Sequence, residues 1–166
     1  MGNFKIKLKE FLLHFLGYFF LLNGLKIIFS IKNISLVKVL RSEHSLEDKI
    51  SEIQIQNPDQ SAGMLISDFV FFTGSLPYFV ILFGFVIVWI FGKRRKYILQ
   101  NFILSFLVLI FFSRTFWKIV QPVFNKPFEI FENLYLELIF SGISLILLSV
   151  ISFYYSTRKN TVIPND

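Results

Sequence analysis

Four charged residues lie at the edges of otherwise apolar stretches and are the first candidates for chemistry: Lys26, Asp68, Arg114 and Glu137. Ionisable side chains placed among apolar helices are costly, so each is a functional hypothesis by default. Two are basic and two acidic, so they could form ion pairs, for example Arg114 with Glu137, and line a polar vestibule. The simpler interpretation is that each side chain extends separately to the lipid headgroups.

His14 is the other ionisable candidate, because it lies inside the first apolar stretch. Its imidazole could relay protons or ligate a metal. No second histidine lies in an apolar stretch, since His44 belongs to a polar segment. The simpler interpretation is a histidine near the membrane interface whose hydrogen bonds are satisfied by backbone or water.

Other chemical motifs are missing from the sequence. It contains no Gly-rich phosphate loop, no nucleophile elbow and no carboxylate pair with histidines at metal-ligand spacing. The absence of Cys excludes disulfides, thiolate nucleophiles, iron–sulfur clusters and cysteine-ligated zinc. We therefore predict no catalytic residue and no metal site, and we expect that the protein does not act as an enzyme on its own.

The elements that must position these residues are four long apolar stretches, at about residues 11–30, 69–91, 97–117 and 134–155. Each is close to the roughly 20 residues that a helix needs to cross a bilayer. Hydrophobic residues make up 54% of the chain, and the mean hydropathy of +0.63 is typical of membrane proteins. We predict an all-α integral membrane four-helix bundle that forms a single domain over residues 1–166.

Prolines and a polar segment interrupt this pattern. Pro77 predicts a kink in the second span, whereas Pro122 and Pro127 are expected to exclude a continuous helix between the third and fourth spans. Residues 31–67 form the longest polar segment. Within it, the helical spacing of apolar residues after the N-cap candidate Ser45 predicts a short amphipathic helix, with a flexible loop as the alternative, and residues 57–59 predict a turn.

The distribution of basic residues predicts the orientation. The N-terminus, the turn at residues 92–96 and the C-terminal tail carry nine of the 17 Lys and Arg residues but two of the 11 acidic residues. With four spans these segments share one side, which the positive-inside rule assigns to the cytoplasm, so both termini are expected inside and residues 31–67 outside. The turn is marked by the basic residues Lys93, Arg94, Arg95 and Lys96.

This placement explains the net charge of +6 without nucleic acid, so we predict the lipid bilayer as a partner and no nucleic acid. Small residues indicate close helix packing. Gly17 and Gly24 are seven residues apart, and Gly142, Ser149 and Ser152 share one face of the fourth span. These faces could pack inside the bundle, which is the simpler interpretation, or against another subunit or a second copy of the chain.

The stretch from Gly17 to Lys26, with two glycines, phenylalanines and a lysine, resembles the first helix of the DoxX-like four-helix membrane proteins. Residues 77–92, with Gly84 at their centre and basic residues after them, are similar to that family's second helix. The four-span layout and the basic turn also fit. The resemblance implies a small inner-membrane bundle associated with quinone or thiol redox systems, with quinone as a possible cofactor and Lys26 as the polar position carried over.

The leading functional hypothesis is a non-catalytic subunit or accessory protein of a bacterial envelope membrane complex, with the extracytoplasmic segment 31–67 as its contact region. It follows from the small size, the sparse polarity within the spans and the small-residue faces. A DoxX-like role in redox systems is the second hypothesis. The third is a small transporter whose pathway would be lined by Lys26, Asp68, Arg114 and Glu137.

Overall fold

The computed structural model describes residues 8–91 and 95–158, and these ranges contain helices and connecting turns but no strand. Four helical segments are long and apolar enough to cross a membrane, as the sequence predicts: Leu8–Arg41, Ala62–Ile87, Leu99–Phe128 and Leu134–Ser156. The protein is therefore an all-helical, multi-pass membrane protein. Of the basic turn, Lys93 and Arg94 lie outside the described residues, while Arg95 and Lys96 begin the helix that follows.

Seven α-helices are numbered here in chain order. Three short turns of other helical types join them: 3₁₀ turns at Ile31–Asn33 and Lys126–Phe128, and a π-helical turn at Phe71–Ser75. The α-helices are α1 (Leu8–Ser30), α2 (Ile34–Arg41), α3 (Leu46–Gln56), α4 (Ala62–Val70), α5 (Leu76–Phe91), α6 (Arg95–Asn125) and α7 (Leu134–Arg158).

Helices α1 and α7 form the most extensive contact, and they run antiparallel. His14 near the start of α1 contacts Ser156 near the end of α7, whereas Gly24 further along α1 lies against Gly142. A row of buried positions in α7 alternates by four and three residues, the spacing of a coiled-coil seam. The row consists of Leu138, Gly142, Leu145, Ser149, Ser152 and Ser156, and Ser141 is buried next to Gly142.

An apolar core joins α1 to the hairpin of α5 and α6. Phe85 of α5 and Phe102 of α6 stack with ring centroids 3.6 Å apart, and Tyr18 of α1 meets the Phe102 ring edge-on at 5.2 Å. The fully buried members at the centre are Leu22 and Leu109. Helix α1 thus lies between α7 on one side and the α5–α6 hairpin on the other.

A second, smaller core lies within residues 31–67, which fold into helices. Leu36 and Val39 of α2, Ile53 of α3 and Ala62 of α4 are all buried against one another. Helix α3 begins where the sequence predicts, because the Ser45 hydroxyl oxygen accepts a hydrogen bond from the Asp48 amide at 3.2 Å. We call α2 and α3, residues 34–56, the helical cap.

The three prolines follow the expectations to different degrees. The π-helical turn ends two residues before Pro77, which cannot donate the usual hydrogen bond to the preceding turn of helix. The predicted break at Pro122 is wrong, because α6 continues through it to Asn125. A helix in a membrane tolerates a proline where neighbouring groups satisfy the freed backbone carbonyl. Pro127 lies in the 3₁₀ turn that follows, so α6 ends before it.

Candidate functional site

The four charged candidates do not share one ion-paired layer in the structure. Glu137 at the start of α7 forms its ion pair with Arg41 of the cap rather than with Arg114. Lys26 and Arg114 are near each other, close enough for their charges to repel. Asp68 is exposed on α4 and takes part in no ion pair within residues 8–91 and 95–158. The four candidates therefore separate into a basic group, which consists of Lys26 and Arg114, a Glu137 carboxylate paired with Arg41, and the exposed Asp68.

The basic group is built around Tyr78 near the start of α5. The Lys26 ammonium lies 5.3 Å from the centre of the Tyr78 ring, within the range of a cation–π interaction. The Tyr78 hydroxyl is 3.0 Å from that of Ser113, which is almost fully buried on α6. Arg114 follows Ser113 and its side chain is exposed. The hydroxyls of Tyr78 and Ser113 thus lie close to the cations Lys26 and Arg114, where α1, α5 and α6 pack together.

An apolar groove lies beside this basic group, between α5 and α6. Its volume is about 470 Å³, and Tyr78 forms part of its wall. The other lining residues are Gly74, Ser75, Phe79, Leu82, Phe106 and Ile110. The groove is open to its surroundings and mostly apolar, so it suits part of an apolar group that lies against the protein rather than a small enclosed ligand.

The ion pair between Arg41 and Glu137 fastens the cap to the bundle. Arg41 Nη1 lies 3.0 Å from each oxygen of the Glu137 carboxylate. The Glu137 side chain is only 13% exposed, whereas that of Arg41 is 43% exposed. A carboxylate shielded in this way gains more from its partner than one in open water does. The pair joins residues 96 positions apart and fixes α2 against the start of α7.

His14 is held inside the α1–α7 contact. Its Nδ1 atom lies 2.8 Å from the Glu10 carbonyl oxygen and 2.6 Å from the Ser156 hydroxyl oxygen. An Nδ1–H group directed between these two oxygens satisfies both contacts, and the geometry is that of a side chain that joins two helices. Among the described residues, no three His, Asp or Glu side chains lie together as a metal site requires.

The small residues singled out in the sequence lie along the same contact. A methyl group at Gly17 would be 2.8 Å from the Phe153 ring, and one at Gly142 would be 2.6 Å from Ile28. Ser149 and Ser152 are buried on the facing side of α7, and the Ser152 hydroxyl donates to the Leu148 carbonyl at 2.8 Å. These residues let α1 and α7 approach closely.

Sequence reasoning missed several members of these sites. Ser156 could have been found, since it continues the seven-residue spacing from Gly142 to Ser149. Nothing in the sequence marked Tyr78 as a site residue beyond its place beside Pro77 in an apolar helix. The role of Arg41 depends on its contact with Glu137, which lies far away in the chain. Five polar side-chain atoms are buried without a hydrogen-bond partner within the described residues: Asn33 Nδ2, Asn101 Nδ2, Ser105 Oγ, Asn125 Oδ1 and Ser141 Oγ.

Comparison of the chain with protein-family models, with curated proteins and with solved structures gave no match.

Proposed function

We propose that this protein is a non-catalytic accessory subunit of a membrane protein complex in a bacterial inner membrane, and that the helical cap is its contact region. The observation that carries the proposal is the folded cap itself. It has its own buried core, and the Arg41–Glu137 pair fastens it to the bundle. A rigid, positioned surface, here that of α3 outside the four apolar segments, binds a partner at a lower entropic cost than a flexible loop does.

The exposed surface of α3 indicates the chemistry of that partner. Leu46 and Ile55 are 75% and 79% exposed, although α3 lies outside the longest apolar segments. Glu47 and Asp48 are exposed beside them. Anionic headgroups repel such carboxylates, so these apolar residues fit a basic protein surface better than a lipid surface.

The orientation forms part of the same proposal. We infer that both termini and the turn at residues 92–96 are cytoplasmic and that the cap lies outside. The contact of His14 with Ser156 supports a common side for the two ends of the chain, and the basic residues support the cytoplasm as that side.

The orientation is tested by labelling single cysteines, because the chain has none of its own. A membrane-impermeant maleimide should modify Gln54→Cys in intact cells and Gly92→Cys only after the membrane is opened. If both variants are labelled in intact cells, the two segments lie on the same side and the orientation is wrong.

The accessory role is tested by purification in a mild detergent. A partner subunit should co-purify in a fixed ratio, and Ile55→Arg should release it because it places a cation where a basic partner docks. Gln54→Arg is the matched control, since it adds the same charge to an adjacent exposed position. Repeated recovery of the chain alone would reject the accessory role, and equal release by both variants would reject the α3 surface.

A DoxX-like role in quinone or thiol redox systems is the second candidate. The observation that favours it is the position of Lys26, whose ammonium lies inside the bundle against Tyr78. Quinone that co-purifies with the wild-type chain but not with Lys26→Gln would support this role, and so would loss of oxidative-stress tolerance in that variant. The absence of both effects would remove it.

The transporter hypothesis has less support, because Glu137 is paired with Arg41 and is not joined to Lys26 or Arg114 in one pathway. Flux into proteoliposomes that is unchanged by Arg114→Ala and by Glu137→Ala would remove it.

A further inference from the structure

One face of α6 changes from apolar to basic within three helical turns. Phe106, Ile110, Arg114 and Lys118 follow one another at intervals of four residues, so they form one continuous ridge that is inclined to the helix axis. Phe106 and Ile110 form the α6 wall of the apolar groove. Arg114 is one helical turn, about 6 Å, beyond Ile110, and Lys118 is one turn further. The groove therefore leads to two cations.

These cations have no protein counter-ion in the described part of the chain. Arg114 and Lys118 are exposed, and neither forms an ion pair within residues 8–91 and 95–158. Lys26 adds a third positive charge from α1, since it repels Arg114 and lies against the Tyr78 ring that forms part of the groove wall. Three cations beside an apolar groove are complementary to an amphiphile with an anionic head.

We propose that this surface binds an anionic phospholipid, with an acyl chain in the groove between α5 and α6 and the phosphate between Arg114 and Lys118. Arg114 is the first charged residue after residues 97–113 of α6, which carry none, and a charge-free run of that length approaches the thickness of the hydrocarbon core, beyond which headgroups begin. A guanidinium binds two phosphate oxygens at once, and the lysine adds a second charge. None of its residues belongs to the cap, and the site does not require a partner subunit.

The test is a lipid titration of the full, delipidated chain in a non-ionic detergent, followed by native mass spectrometry. Phosphatidylglycerol should bind more tightly than phosphatidylcholine. Each cation near the bilayer surface contributes about a fivefold gain for an anionic lipid, so the double variant Arg114→Gln/Lys118→Gln should lose about 30-fold. Lys126→Gln is the matched control, because it removes an exposed charge just beyond α6 and should bind as the wild type does.

The groove is tested separately from the charges. Gly74→Leu places a side chain in the groove, and the loss of contact with two methylene groups weakens binding about 15-fold. Gly84→Leu is its control, since Gly84 lies further along the same helical segment, Ala62–Ile87, has nothing within 4 Å of an added Cβ and does not line the groove. Arg114→Lys keeps the charge and should retain most of the affinity. Circular dichroism and gel filtration verify that each variant is folded.

Three outcomes would overturn the proposal. The first is equal affinity for phosphatidylglycerol and phosphatidylcholine. The second is binding that neither the Arg114→Gln/Lys118→Gln variant nor Gly74→Leu reduces, in samples shown to be folded. The third is tight binding of inorganic phosphate that competes with the lipid and is unaffected by Gly74→Leu, which would identify a phosphate site without a lipid.

Discussion

Replacement of Gly24 by alanine should weaken the bundle by forcing α1 and α7 apart. The added methyl group would lie 3.0 Å from the Gly142 carbonyl oxygen and 3.2 Å from Leu145 Cβ. Neither atom is at the end of a flexible side chain, so the backbones must separate by a few tenths of an ångström. Overpacking of this kind costs about 1–3 kcal/mol. Alanine also favours the helix by up to about 1 kcal/mol over glycine, and this opposes the steric cost.

Gly84→Ala isolates the steric part, because an added Cβ at Gly84 has nothing within 4 Å. Both variants gain the same intrinsic helix preference, so their difference is the cost of separating the helices. We expect Gly24→Ala to be about 1–3 kcal/mol less stable than Gly84→Ala. The free energies of unfolding are measured by SDS titration in mixed micelles, followed by far-UV circular dichroism. Equal stability of the two variants would show that α1 and α7 do not approach closely at Gly24.

Three further changes test other contacts. Glu137→Gln should destabilise the chain by less than about 1 kcal/mol, because Arg41 is partly exposed. The same change should speed proteolysis within the cap, and unchanged proteolysis would contradict the pairing of Arg41 with Glu137. Ser45→Ala should cost about 1 kcal/mol of local stability and speed amide hydrogen exchange in α3, whereas unaltered exchange would argue against the cap hydrogen bond. Tyr78→Phe and Ser113→Ala should be coupled by about 0.5–1.5 kcal/mol in a double-mutant cycle, and additive effects would mean that their hydroxyls do not interact.

The spans could be predicted from the sequence because they depend on local composition. Apolar runs of sufficient length indicate where a helix can cross a bilayer, and each observed segment overlaps one of the predicted spans. The start of α3 could be predicted equally well, since Ser45 and the Asp48 amide that donates to its hydroxyl are only three residues apart. The break expected at Pro122 is not observed, because a proline removes one backbone hydrogen bond and can kink a helix without ending it.

The partners of the charged residues could not be predicted in the same way. Glu137 follows α6 closely in the chain, which made Arg114 the natural partner. In the structure α7 packs against α1, so the cap at the end of α1 supplies Arg41 instead. Apolar runs do not encode which helices are neighbours. The contact between Lys26 and Tyr78 also depends on how distant helices pack. The sequence therefore showed the two residues but could not predict that they lie next to each other.

The pairing of α1 with α7 has a consequence during biosynthesis. The first helix enters the bilayer while the ribosome has still to make the segment that covers its glycine-containing side. About 120 residues separate Gly24 from Ile146, which it contacts, and at 5–20 residues per second their synthesis takes roughly ten seconds. Throughout that interval the side of α1 that carries Gly24 lacks the α7 surface that covers it in the folded protein.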